Sequence, residues 1–378
     1  MWQPCSIPSD QPVARHPGGS RNDGHTLRPR DTALTADSLT SGHKPFEEAA
    51  SPFPKTAFSP EAVALLGISA IRGVGFQTMV RLRGIEGVSD ILRAQSVSAF
   101  EHAITQAGAK IPANSLPDTW SGLERLITNT GDEAAAKLSE AGTAICFLGN
   151  PSFPQTLASL PDKYRPLWIL YRGDLSILQR PCVTVVGTRD PTQHGEFLSC
   201  YAVSCVRPFG TPVVSGLAHG VDRIVHEWCL RLGLPTVSVM GTGMLTTYPA
   251  RNAGLGDEIV KSGGLLISEY FPHQGPTAEN FVWRNRLQAA LGRVTIPAEW
   301  AKKSGTAHTV RFAQKFNRKV FSISLSGLAP HQDAGRGDRH FDPPDSHLSF
   351  VEELEAAIKD DPVPAPAVPQ MDLFGNPR

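Results

Sequence analysis

Between Cys182 and Ile323 the sequence keeps switching between short β-branched runs and helix-length segments, and this alternation restricts the fold more than any other feature. The runs PCVTVVG, TPVVSG, PTVSVMG, LLISEY, RVTIP and KVFSIS lack strict polar–apolar alternation, as strands covered on both faces do. Between them lie EFLSCYAVSCV, VDRIVHEWCLRLG, NAGLGDEIVKSG, NRLQAALG and TAHTVRFAQKF, which read as helices. The order predicts an α/β fold, a doubly wound, mostly parallel sheet. Two further apolar runs, Ala144 to Leu148 and Leu167 to Tyr171, read as strands separated by proline-rich turns.

The remainder of the 378 residues divides by pattern. Residues 1–57 are rich in Ser, Pro, Gly, His and Asp without periodicity, and are expected to form a disordered arm. Residues 58–140 begin with apolar positions at three-to-four spacing (Val63, Leu65, Leu66, Ile68, then Met79, Val80, Leu82), which predicts a small N-terminal helical domain. Ile71-Arg72-Gly73-Val74-Gly75 interrupts it. Its glycines suit a helix-hairpin-helix turn facing a phosphate, and equally an ordinary turn between helices. Residues 141–325 hold the α/β domain, and 326–378 read as a flexible Pro/Asp-rich tail in which only LSFVEELEAAIK has a helical pattern.

Charge excludes a uniformly basic nucleic-acid coat, since 36 Lys+Arg balance 36 Asp+Glu. Cys182 to Ile323 nevertheless carries 15 Lys+Arg against 9 Asp+Glu, a basic surface hidden by the neutral total. No apolar run approaches the ~18 residues of a membrane span. The six cysteines form no CxxC pair, so a structural zinc site is not expected. The N-terminus lacks an apolar signal core, which makes the cytoplasm the expected compartment. His219, Asp222 and His226 share a helical face, but no fourth ligand accompanies them. A buried capping histidine outweighs a metal there, and no metal or cofactor is expected.

Ligands of doubly wound sheets bind beyond the carboxyl ends of the strands, so the loops there carry the chemistry. Gly187-Thr188-Arg189 offers close backbone approach, a hydroxyl and a planar cationic fork; an ordinary turn with a solvated arginine competes with this reading. Ser215-Gly216-Leu217-Ala218-His219-Gly220 exposes N–H groups at a helix start, where the macrodipole favours anions. Gly241-Thr242-Gly243 is not a dinucleotide fingerprint, because Thr246 stands where the third glycine belongs. Asn280-Phe281-Val282-Trp283-Arg284-Asn285-Arg286 combines cations with flat rings, as single-stranded nucleic acid requires, although Phe281 and Trp283 are also plausible core residues. Lys303-Ser304-Gly305-Thr306 opens the last helix with a small polar turn.

The segments VVGTRDPTQHG, VVSGLAHGVDRIVH, VMGTGMLTTYPARN, LLISEYFPH, NFVWRNRLQAALG and AKKSGTAHTVRFA, in this order, resemble the DNA-processing protein A family, also called the Smf family. The resemblance spans about residues 145–323 and implies an extended Rossmann-like fold. It implies a non-catalytic protein that binds single-stranded DNA, forms a homodimer and helps load the recombinase RecA in natural transformation. The family's phosphate-cradling positions carry over to Gly187, Thr188, Arg189, Ser215, Gly216, Gly220, Gly241 and Gly243, and to Arg284, Asn285, Arg286, Ser304 and Gly305. Val282 departs from the usual proline, and Met244 to Thr247 lack the family's acidic residue.

Beyond a PVPAPAVP linker, Gln370-Met371-Asp372-Leu373-Phe374 is similar to the pentapeptide with which bacterial DNA-handling proteins dock on the replication sliding clamp. Two alternatives stay open. One is a nucleotide sensor or N-glycosidase of the related LOG-type fold, with Glu299 assisting water, although its PGGxGT loop reads KKSGT here. The other is a DNA-binding adaptor in defence against phage.

Overall fold

The computed structural model describes residues 57–325, 338–343 and 345–360. The expected arm, apart from Ala57, and the Gln370–Phe374 motif lie outside the described residues.

A nine-stranded sheet runs in the order β1-β2-β6-β5-β4-β3-β7-β8-β9. Its centre is β3 (Cys182–Val186), flanked on one side by β4 (Val213–Ser215), β5 (Thr236–Val239) and β6 (Leu265–Ser268). On the other side lie β7 (Gly292–Pro297), β8 (Lys319–Ile323) and β9 (Arg339–Phe341). These strands are parallel throughout, whereas β1 (Ala144–Phe147) and β2 (Trp168–Gly173) add an antiparallel edge next to β6. This is the doubly wound α/β sheet that the strand–helix alternation predicts.

Strands β3 to β6 are buried on both faces because both faces are covered. After α6 (Gln155–Ala158), Val183 and Val185 pack with α7 (Gln193–Val206) and α8 (Val221–Leu232), and α9 (Ala253–Lys261) follows β5. Cys182 belongs to the opposite layer with Leu287 and Leu291 of α10 (Ala278–Leu291). On that second face the Thr184 hydroxyl donates to the Gln288 carbonyl at 2.7 Å. Helix α11 (Gly305–Lys315) lies beside α10, and Val310 and Ala313 pack with Ala289. The helix starts follow from sequence: Thr192, Thr277 and Ser304 each accept a hydrogen bond from the backbone N–H three residues on.

The sheet does not stop where the sequence pattern fades. Strand β9 pairs with β8, and α12 (His347–Lys359) buries Phe350, Leu354 and Ile358 in the same core as Phe321. The tail expected from residue 326 is therefore corrected for these segments. Their apolar spacing is sparse, and only the facing sheet makes it sufficient.

The N-terminal layer comprises α1 (Pro60–Ala70), α2 (Phe76–Arg81), α3 (Ile85–Ala94), α4 (Val97–Gln106) and α5 (Trp120–Glu140). Phe76 docks it on the sheet edge, with its ring 5.1 Å from Tyr270 and 5.8 Å from Trp168. In the turn before α2, Gly73 takes φ +93° and its carbonyl accepts from Lys110 N–H at 3.1 Å, which ties the turn to the segment that follows α4. No helix among the described residues is long and apolar enough to cross a membrane.

Candidate nucleic-acid interface

The chain leaves β3 toward β4 on one side and returns as β7 on the other, so the β3/β7 boundary is where the winding reverses. Loops diverge from such a boundary and leave a crevice at the carboxyl ends of the strands. A cleft of about 610 Å³ opens there, directly beyond Val186.

Three loops form its walls. Gly187, Thr188 and Arg189 follow β3; Thr277 and Ala278 begin α10; Ser304, Gly305 and Thr306 begin α11. First-turn N–H groups of a helix lack intrahelical acceptors, so two positive helix ends meet in one crevice. Arg189 is exposed, with its guanidinium 5.3 Å from the centre of the Phe281 ring. Tyr248, 45% exposed, lies 5.5 Å from the same ring. A cation and two flat faces therefore share the rim.

Helix α10 starts earlier than the NRLQAALG pattern indicates and takes in residues 280–284, expected in the preceding loop. Helical spacing splits the 280–286 segment between two sides. Phe281, Arg284, Asn285 and Gln288 recur at helical intervals and line the cleft. Arg286, expected beside a phosphate, is instead 2% exposed and lies 2.5 Å from the buried Glu269 carboxylate. It also donates to the Tyr164 carbonyl at 2.9 Å and covers Trp283 at 4.3 Å. Burial pushes Glu269 above the usual carboxylate range, and Arg286 opposes that shift.

Arg284 lines the cleft floor but is also structural. Its Nη1 donates to the Gly216 carbonyl at 3.0 Å and to the Val239 carbonyl, joining the ends of β4 and β5. Burial raises the carboxyl pKa of neighbouring Asp222, while Arg284 and the Ser215 hydroxyl lower it. Gly216 is tightly enclosed, since a Cβ there would collide with Asp222, Arg284 and Gln288. Gly220, with φ +75°, lets the loop enter α8 against the Thr188 and Arg189 carbonyls.

Other expected residues support the cleft without lining it. Ser215 is buried and donates to the Val185 carbonyl at 2.8 Å. The Gly241-Thr242-Gly243 loop packs inward, Thr242 donating to the Thr246 carbonyl and Gly243 N–H to the Gln274 carbonyl at 2.9 Å. Lys303 is exposed beside the α11 start, His219 is partly exposed, and Asn280 faces a different recess. His226 is engaged rather than free: its Nε2 accepts from Leu217 N–H at 3.3 Å, and Nδ1 bonds the Thr236 hydroxyl at 2.8 Å. Burial drops its pKa to about 3.

Glu299 has a definite task. Its two carboxylate oxygens accept from Thr192 N–H at 2.8 Å and from the Thr192 hydroxyl at 3.0 Å, and its carbonyl accepts from Thr188 N–H at 2.8 Å. It clamps the loop that carries Arg189. Sequence reasoning singled out neither Thr277, Gln288 nor Thr309 as cleft residues. Thr277 was detectable as an N-cap; the other two emerge only from helix phase.

The family pattern of DNA recombination-mediator protein A matches residues 144–337, just over half of the chain. This chain belongs to that family. It is 39% identical over 179 residues to Protein Smf of Synechocystis sp., covering 47% of this chain and 45% of that protein. Against the DNA processing protein DprA of Streptococcus pneumoniae the identity is 36% over 180 residues, 47% of this chain and 62% of that one. The chain spans about half the length of the curated relatives it matches. The X-ray structure of DNA processing protein A from Streptococcus pneumoniae superposes with a TM-score of 0.54 at 26% identity, covering 74% of this chain and 91% of that one.

Proposed function

We propose that the protein is a non-catalytic, single-stranded DNA-binding recombination mediator, gripping the strand at the β3/β7 cleft. The observation that carries this reading is the Arg189 guanidinium laid over Phe281, with Tyr248 beside it, at the mouth of two helix starts. Phosphates suit the helix ends and Arg189. Unpaired bases suit the rings, whereas a duplex keeps its base faces stacked inside. The direct contacts we assign to Gly187, Thr188, Arg189, Phe281, Asn285, Ser304, Gly305 and Thr306, which line the cleft. Lys303 adds positive charge at its edge.

The family's description supports a role in recombination mediation, and we infer that a homodimer delivers the bound strand to a RecA recombinase. The Gln370–Phe374 segment adds a sliding-clamp partner. The N-glycosidase alternative asks Glu299 to activate water, yet both of its carboxylate oxygens are occupied by Thr192. The test is titration of a thymidine oligonucleotide at several salt concentrations. Log affinity should fall with log salt at about −0.7 per phosphate held, and Arg189→Ala should make that slope shallower by roughly 0.7. No binding by the native chain, or release of free base from nucleoside monophosphates, contradicts the proposal.

A further inference from the structure

Across α10 from the cleft lies a second recess. It encloses about 450 Å³ between α2 and the first turns of α10, lined by Phe76, Gln77, Tyr270, Asn280, Val282 and Trp283. A smaller hollow of about 270 Å³ shares Phe76, Gln77 and Trp283 and reaches Lys163, Arg165 and Arg286. Ala278 and Val282, one helical turn apart, line both the cleft and the recess. The partition between them is thus a single helix start.

The lining has three kinds of surface. Phe76 and Tyr270, both buried with rings 5.1 Å apart and tilted by 54°, form the apolar floor, and Trp283 is the partly exposed ring of the lining. Gln77 is exposed and Asn280 partly so, and each side-chain amide both donates and accepts. On the far side Lys163 is exposed, whereas Arg286, neutralised by Glu269, covers one face of Trp283 at 4.3 Å. Glu279 also lines the recess, and its carboxylate repels phosphate from that side. An aliphatic side chain has no use for amide edges. A nucleobase uses the rings and the amides together, and its phosphate uses the lysine.

We propose that this recess is a second base-binding subsite, reached by single-stranded DNA that leaves the cleft over the start of α10 and packs one base beside Trp283. The proposal rests on the reading of the cleft as a DNA site and extends the path of the strand. A stacked strand advances about 3.4 Å per nucleotide and a helix with its side chains is about 10 Å across, so about three nucleotides cross the partition.

Thymidine oligonucleotides of about 3 to about 12 residues, titrated by fluorescence anisotropy against the full chain, test it. The variants are Gln77→Glu, which adds charge at an exposed position, Trp283→Leu, and Arg189→Ala. Gln77→Glu and Trp283→Leu should weaken long oligonucleotides about tenfold, ~1.4 kcal/mol, and leave the shortest that bind unchanged. Arg189→Ala should weaken every length. Equal affinity of Gln77→Glu and the native chain at all lengths overturns the subsite, even if Trp283→Leu fails to fold. Absence of binding by the native chain removes both readings, whereas binding that depends on Arg189 and ignores Gln77 removes the subsite alone.

Discussion

Beneath the cleft floor, Gly216 has room for a hydrogen and nothing more. The Asp222 carboxylate, the Arg284 guanidinium and the Gln288 amide all converge where a Cβ would stand. Overpacking of this kind costs roughly 1–3 kcal/mol. Gly216→Ala should therefore lower stability by that amount in denaturant titration. It should also weaken oligonucleotide binding, because Arg284 holds the Gly216 carbonyl and presents the floor to the cleft. Undiminished stability would show that the three side chains give way freely. Arg284 and Arg286 make the complementary point: two arginines separated by one residue divide between cleft floor and buried strut, and only helix phase distinguishes them.

Helix α8 is joined to its strands by a relay of hydrogen bonds. Leu217 N–H donates to His226, His226 bonds the Thr236 hydroxyl, and that hydroxyl donates to the Val213 carbonyl at 2.9 Å. The relay fixes the loop entering α8 to β4 and β5, and it needs a neutral imidazole whose Nε2 accepts. Burial holds His226 at about 3 in the folded chain against an ordinary 6.5. Between those values the unfolded chain binds more protons, so stability is lost as pH falls from about 6.5 toward about 3. The contribution reaches about 1.4 kcal/mol per pH unit. His226→Gln should flatten this part of the stability profile by urea unfolding at stepped pH; an unchanged slope would place the acid sensitivity elsewhere.

For the molecule as a whole, the core closes only with β9 and α12. Phe341 and Phe350 lie 5.3 and 6.3 Å from Phe321, and 5.1 Å from each other. Each buried phenylalanine contributes ~1.5–3 kcal/mol, so removing this layer takes away roughly 5 kcal/mol, comparable to the net stability of a domain. A chain cut after residue 325 should expose Phe321, bind hydrophobic dyes and lose cooperative melting. One cut after residue 360 should keep the native melting midpoint. Equal midpoints would show that the last strand and helix are dispensable.

The sheet, its winding and the loops that carry Gly187, Arg189 and Ser304 were legible in sequence, because strand and helix periodicities are local and ligand-facing loops follow from strand direction. Helix α12 was legible as a pattern but not as part of the core, since its apolar face acquires meaning only against the sheet strands β7 to β9. Which members of the Asn280–Arg286 cluster face the cleft, why Glu299 clamps Thr192, and how His226 reaches Thr236 were decided by tertiary structure. Those pairings join residues far apart in the chain, and only the packing of helices on a shared sheet brings them within hydrogen-bonding distance.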